Sequence, residues 1–129
     1  MATIDVLNKQ KEFFKSGQTK DYNFRKYQLK LLQTAIKTNE KRIYDALYSD
    51  LGKIETEAYM CEVGMVLAEI KYMLKHMKRF MKSVKVNAGI ATFPSKACMA
   101  PTPKGSVLIM SPWNYPFMLT MEPLVDALA

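Results

Sequence analysis

Acidic residues are missing from a long stretch of this chain. Between Glu69 and Glu122 there is no Asp or Glu, while eight Lys or Arg side chains fall between Lys71 and Lys104. The whole chain carries +7, so everything outside that block sums to −1. Cysteine is scarce as well. Cys61 and Cys98 are too few for a disulfide framework, and both sit in apolar surroundings. A reduced, cytoplasmic protein is the expectation. The single histidine, His76, cannot make a metal site alone, and none is expected. The five glycines form neither a GxGxxG nor a P-loop. No apolar run reaches the roughly 18 residues that span a bilayer. The N-terminal Met-Ala-Thr-Ile-Asp-Val lacks the basic and apolar regions of a secretory signal. There is no internal repeat and no low-complexity segment.

What is present describes a globular protein. The 129 residues are 49% hydrophobic and 24% charged, enough for one domain with a core. The basic block has two readings. It could hold an anionic polymer or surface, which makes a basic helical binding module the alternative function. Or it is a solvated helix end followed by an arm that meets an acidic partner surface. No nucleic-acid motif accompanies the charge, so the second reading is favoured, with neither nucleic acid nor membrane expected as a partner.

The periodicity predicts helices over the first two thirds of the chain. Thr3 caps a helix to about Lys15, with a ragged apolar face of Ile4, Leu7, Phe13 and Phe14, and Gly17 ends it. Asp21 or Asn23 caps a second helix from Phe24 to about Lys37, with Tyr27, Leu31, Leu32 and Ala35 on one face. After a joint at Thr38-Asn39, Ile43, Leu47 and Leu51 mark a third helix closed by Gly52. The fourth is the longest. Tyr59, Val63, Val66, Ile70, Met73, Met77 and Phe80 form one seam at spacings of four and three. Glu55, Glu57 and Glu62 crowd its first turns and Lys75, Lys78, Arg79 and Lys82 its end, as the helix dipole favours. Gly64 and Ala68 would let a neighbour approach closely.

The pattern changes after Lys82. Ser83–Val86 alternates weakly, Asn87-Ala-Gly89 reads as a turn, and Thr92–Met99 as a strand interrupted by Pro94. A two-stranded arm of this kind needs something to pair with. Val107-Leu-Ile-Met110 is an unbroken apolar run, predicted to be a parallel strand buried on both faces. Ser111-Pro-Trp-Asn-Tyr-Pro116 breaks it, and an apolar helix follows from about Phe117, with Pro123 expected to kink it. Strand, tight turn and buried helix are how an α/β nucleotide-binding domain begins. No second strand of that type follows, so the predicted sheet has no partners in the chain. That oddity reads as a partial sequence, or as groups satisfied by another chain.

Asn114 is the residue with chemical interest. At the end of a parallel strand its amide would face the ligand crevice and could hold an oxyanion. It could equally be a helix N-cap, with Trp113 a core anchor. The residues alone leave both readings open. Cys61 and Cys98 have no local base and are expected to be structural. The ten methionines read as core filler.

The stretch Lys104-Gly-Ser-Val-Leu-Ile-Met-Ser-Pro-Trp-Asn-Tyr-Pro-Phe, continued by Leu119-Thr-Met-Glu-Pro-Leu, resembles the aldehyde dehydrogenase superfamily, in particular its class 3 type. Asp50-Leu-Gly-Lys53, Glu57-Ala-Tyr and Glu62-Val…Glu69-Ile are similar to the helical N-terminal region of that group. The resemblance implies an α/β fold with N-terminal helices over 1–82, an antiparallel β-arm for oligomerisation over 83–104, and over 105–129 the truncated start of a Rossmann-like NAD(P)-binding domain. It implies oxidation of a small aldehyde to a carboxylate with NAD or NADP, in a homodimer. A cysteine thiolate attacks, hydride leaves to the nicotinamide, and a glutamate activates water.

The same resemblance makes Asn114 the oxyanion donor and Met110, Ser111, Pro112 and Trp113 the cofactor wall. Tyr115, Met118 and Met65 would border the substrate tunnel, and Met65 departs from a position often aromatic in class 3 relatives. The family's nucleophile, base, phosphate-binding glycines and ribose contacts lie beyond residue 129. The chain by itself is therefore expected to have no dehydrogenase activity. A third reading has it dock on a longer relative through the arm.

Overall fold

The computed structural model describes residues 3–129. The elements run α1 (Thr3–Lys15), a 3-10 turn (Gln18–Lys20), α2 (Tyr22–Thr38), α3 (Glu40–Leu51), α4 (Glu55–Ala58), a wide turn (Tyr59–Val63) and α5 (Gly64–Phe80). Then come β1 (Val84–Val86), a 3-10 turn (Ile90–Thr92), β2 (Ala97–Met99) and α6 (Pro116–Leu128).

Local chemistry sets the helix ends. Gly17 takes a left-handed φ of 79° beyond α1, and Gly52 one of 67° beyond α3. Only glycine adopts that region without a Cβ penalty. Asp21 is the residue that caps α2, its carboxylate accepting the Phe24 N–H at 2.7 Å. The joint between α2 and α3 falls at Asn39, as the sequence predicts.

The core lies where α2, α5 and α6 pack on one another. Leu29 and Ile36 enter it from α2, Val66, Ile70 and Met77 from α5, Val125 from α6, and Val63 from the wide turn. Most of the predicted α5 seam is therefore the core seam, while its end members Tyr59 and Phe80 are exposed. The α2 face is different from the expected one. Tyr27 and Leu31 point out, and Leu29 and Ile36 point in. Leu29, Leu32 and Ile36 make an alternative stripe of helical spacing, and packing against α5 and α6 selects it. Nothing on α1 is buried; its ragged face lies largely open.

The long fourth helix is interrupted. Over Tyr59–Val63 the backbone widens to i→i+5 bonding, with the Gly64 N–H reaching the Tyr59 carbonyl. A Cβ on Gly64 would stand 2.7 Å from that carbonyl oxygen. Gly64 thus serves the wide turn rather than a neighbouring element, and Ala68 is exposed.

The arm is a hairpin. β1 and β2 pair antiparallel, with Val84 opposite Met99, Lys85 opposite Cys98 and Val86 opposite Ala97. The predicted strand Val107–Met110 is not formed. A strand needs a ladder partner, and among the described residues none lies beside it. Val107, Leu108 and Met110 are exposed instead of buried.

Candidate active site

The turn Ser111–Pro116 is held by groups outside it. Glu62 is fully buried at 0% exposure and Lys53 nearly so at 7%. Their charged ends meet, Lys53 Nζ to Glu62 Oε1, at 2.5 Å. Glu62 Oε2 accepts the backbone N–H groups of Phe117 at 3.0 Å and Met118 at 2.9 Å. That carboxylate therefore caps the first turn of α6, where orphan N–H groups and the helix dipole both favour an anion.

Lys53 completes the arrangement. Its ammonium donates to the Asn114 carbonyl at 2.8 Å. It also stands 3.9 Å from the centroid of the Tyr115 ring. An ammonium has three donors, and the carboxylate, the carbonyl and the π face account for all three. A buried ion pair is tolerated when its remaining groups are satisfied in this way.

Sequence reasoning missed the pair. Glu62 is expected to offset the dipole of its own helix; it caps another helix instead. The wide turn beneath it alters the local phase, so that both Glu62 and Val63 face inward. Lys53 follows the left-handed Gly52, whose reversal carries the chain away from α3, with the Lys53 N–H bonding back to the Leu47 carbonyl at 3.4 Å. The available signal was an acid at position 62 flanked by residues that prove buried, Ala58 and Val63.

The predicted site residues fall into three groups. Asn114 is exposed, and its side-chain amide makes no hydrogen bond to a described residue. It is not the N-cap of α6. Tyr115 holds that position without a side-chain cap, Pro116 begins the helix, and Glu62 does the capping. Met110, Pro112 and Trp113 form an exposed apolar edge, Trp113 at 84%. Trp113 is therefore no core anchor. Ser111 is tied down: Thr120 Oγ1 donates to the Pro116 carbonyl at 2.6 Å and so accepts from Ser111 Oγ, also at 2.6 Å. Tyr115 and Met118 are half-buried, and Met118 packs against the core. Met65 is exposed on α5, one turn beyond Glu62.

The other candidates stay apart. Cys61 and Cys98 are both free thiols. Cys98 is exposed on β2. His76 lies among aromatic rings, with Tyr72 4.3 Å away between centroids and Phe80 6.2 Å away. Among the described residues no three His, Cys, Asp or Glu side chains are placed to hold a metal ion. No helix of the described residues is long and apolar enough to cross a membrane. Pro123 lies inside α6, which continues to Leu128.

Comparison with known proteins identifies the family. The sequence matches the aldehyde dehydrogenase family over residues 5–129. It is 48% identical over 119 residues to 4,4'-diaponeurosporen-aldehyde dehydrogenase of Staphylococcus aureus, covering 92% of this chain and 26% of that protein. An aldehyde dehydrogenase of Craterostigma plantagineum is 40% identical over 132 residues, covering 100% of this chain and 28% of its own. Mouse aldehyde dehydrogenase family 3 member A2 is 39% identical over 119 residues, 92% of this chain and 25% of its own. A solved structure of the substrate-bound state of Staphylococcus aureus AldH superposes with a TM-score of 0.93 at 45% identity, covering 99% of this chain and 28% of that one. The chain thus spans about a quarter of the length of these relatives, and it corresponds to their N-terminal portion. Over almost its whole length, this chain belongs to the aldehyde dehydrogenase family.

Proposed function

We propose that this chain supplies the oxyanion-side turn and the supporting helices of an NAD(P)-dependent aldehyde dehydrogenase that oxidises small aldehydes to carboxylates. The observation that carries the reading is the division of labour at α6. Glu62 takes the helix N–H groups, and the Asn114 amide is left exposed with its backbone anchored. A donor that is not spent on capping is free to meet charge that develops on a substrate oxygen.

In this reading a thiolate from the part of the enzyme beyond residue 129 attacks the aldehyde carbon. The carbonyl oxygen becomes an oxyanion, and Asn114 donates a side-chain N–H to it. A nicotinamide bound there would supply the hydride acceptor, so that the oxyanion collapses to a thioester, which water then cleaves to the carboxylate and the free thiol. The residues present fit one wall of that cofactor: the exposed apolar edge Met110, Pro112 and Trp113 offers a surface for a flat ring. They do not fit its pyrophosphate, because the first N–H groups of α6 already hold the Glu62 carboxylate.

Tyr115, Met118 and Met65 border the aldehyde's approach in the same reading. Their mixture of ring and thioether surfaces suits an apolar substrate chain. The hairpin places Ile90 and Phe93 in the open, at 96% and 84% exposure, and burying them against a second copy would give a homodimer its interface. Two free thiols suit a reducing cytoplasmic setting.

The test is a joined chain, residues 1–129 followed by the remainder of the Staphylococcus aureus relative. It is expected to reduce NAD or NADP when given a simple aldehyde. Asn114→Ala should lower kcat by about 100-fold or more, the usual loss when one oxyanion donor is removed. An unchanged kcat in that variant would remove Asn114 from the mechanism.

A further inference from the structure

We infer that Lys53 and Glu62 are positioning residues for Asn114, fixing the backbone from which its amide reaches the substrate oxygen. The inference rests on the reading of Asn114 as the oxyanion donor and adds to it the means by which the donor is aimed.

The geometry behind it is specific. Two features fix where an asparagine amide sits: its own backbone dihedrals and its rotamer. The peptide group leaving Asn114 is gripped by Lys53 through its carbonyl, at 2.8 Å. The chain three and four residues on is gripped by Glu62 through the Phe117 and Met118 N–H groups. Both grips belong to one buried ion pair joined at 2.5 Å. The turn is thus clamped to the α3 terminus through Lys53 and to the wide turn before α5 through Glu62. The side chains that flank Asn114 provide no comparable hold. Trp113 is exposed, and the Tyr115 ring is itself held against the same ammonium.

Electrostatics point the same way. A cation on the Asn114 carbonyl polarises that peptide group and favours one orientation of it. In a buried setting the interaction is strong and geometrically stiff. An oxyanion donor works by being in place before charge develops, so stiffness of its backbone is a catalytic asset. Neither Lys53 nor Glu62 needs to touch the substrate for this.

The joined chain tests it, with kcat counted per reactive active-site thiol so that misfolded protein is not scored. Lys53→Met should lower kcat by about 10- to 100-fold, the scale set by a misplacement of roughly 1 Å, and leave KM within about twofold. Lys53→Arg keeps a cation between the carboxylate and the carbonyl and should recover most of the loss. In the double variant, Lys53→Met should add less than about twofold to the effect of Asn114→Ala, because the clamp acts through that one amide. A full kcat per thiol in Lys53→Met, or losses that multiply in the double variant, would overturn the inference and leave the oxyanion role intact. If Asn114→Ala itself keeps full kcat, the oxyanion reading and the clamp fall together.

Discussion

Two regions of this molecule both carry many apolar side chains and have opposite fates. Around the α5–α6 junction, Val63, Val66, Ile70 and Val125 have no exposure at all. From β1 to the Ser111 turn, Val84, Ile90, Phe93, Leu108, Met110 and Trp113 are all exposed. Hydrophobicity does not separate them; available partners do. The first region is closed by three helices, α2, α5 and α6, that pack on one another. The second is built of extended segments, which bury apolar surface only when another sheet or subunit covers them. The same contrast holds for charge. Lys53 is paired in the interior, whereas Lys85 on β1 is exposed.

Removing the interior cation should have the largest effect on stability. Lys53→Met leaves Glu62 buried with a charge that no cation meets. Urea unfolding of the 129-residue chain should show a loss of about 3–5 kcal/mol, the usual result of deleting one partner of a buried pair. Lys85→Met should stay within about 0.5 kcal/mol, as exposed substitutions do. Equal effects would mean that burial of the Lys53–Glu62 pair carries no energetic weight.

Truncating apolar side chains in the two regions should give the next largest difference. Ile70→Ala opens a cavity between α5 and its neighbours and should cost about 2–5 kcal/mol. Ile90→Ala, at a side chain that is almost wholly in solvent, should cost about 0.5 kcal/mol or less in the same measurement. In an assembled dimer the Ile90 effect should grow. If it does not, the hairpin is not the covered surface.

What was legible in the sequence follows the same division. Elements whose causes are local could be read: the Gly17 and Gly52 reversals, an α2 cap at Asp21 or Asn23, most of the α5 seam and the two-stranded arm. The reversals, the cap and the seam depend on neighbours within a few residues, and the arm on strands that are adjacent in the chain. The Lys53–Glu62 pair could not be read, because it joins two elements nine residues apart and then reaches a turn more than fifty residues on. The inward face of α2 was ambiguous, since two stripes fit the helical period and packing selects one. Val107–Met110 is strand-like by composition, yet strand formation is a property of a pair. At the candidate site, Asn114 was legible as a choice between capping and catalysis. Only the position of Glu62 shows that capping is done by another residue.

A smaller effect is expected at the wide turn that separates α4 from α5. Gly64→Ala gains roughly 1 kcal/mol of helix propensity in general terms. Here the added methyl would stand 2.7 Å from the Tyr59 carbonyl, a backbone atom that cannot step aside cheaply. Forcing that contact apart should cost about 1–3 kcal/mol, so the net loss is expected near 1 kcal/mol. The turn's return toward regular α geometry would also rotate Glu62 away from α6. Faster hydrogen exchange at the Phe117 and Met118 amides would report it. A variant that is stabilised, with exchange unchanged, would mean that the wide turn has no part in placing Glu62.

The smallest effect concerns Glu69, on α5 close to Asp126 and Glu122 of α6. Burial raises its pKa above the ordinary carboxylate value of 4.5, and the charges of Asp126 and Glu122 raise it further. The folded chain therefore keeps this proton to a higher pH than the unfolded chain does. Between 4.5 and the raised value, the folded state binds more protons, so stability falls as pH rises through that window. Above the window the loss is complete and constant. Glu69→Gln removes the titration, so its unfolding free energy should lack this component of the decline. At neutral pH the variant should be more stable by about 0.5 kcal/mol or less, because Glu69 is only half-buried. A decline of equal depth in both proteins would place its origin elsewhere than the α5–α6 contact.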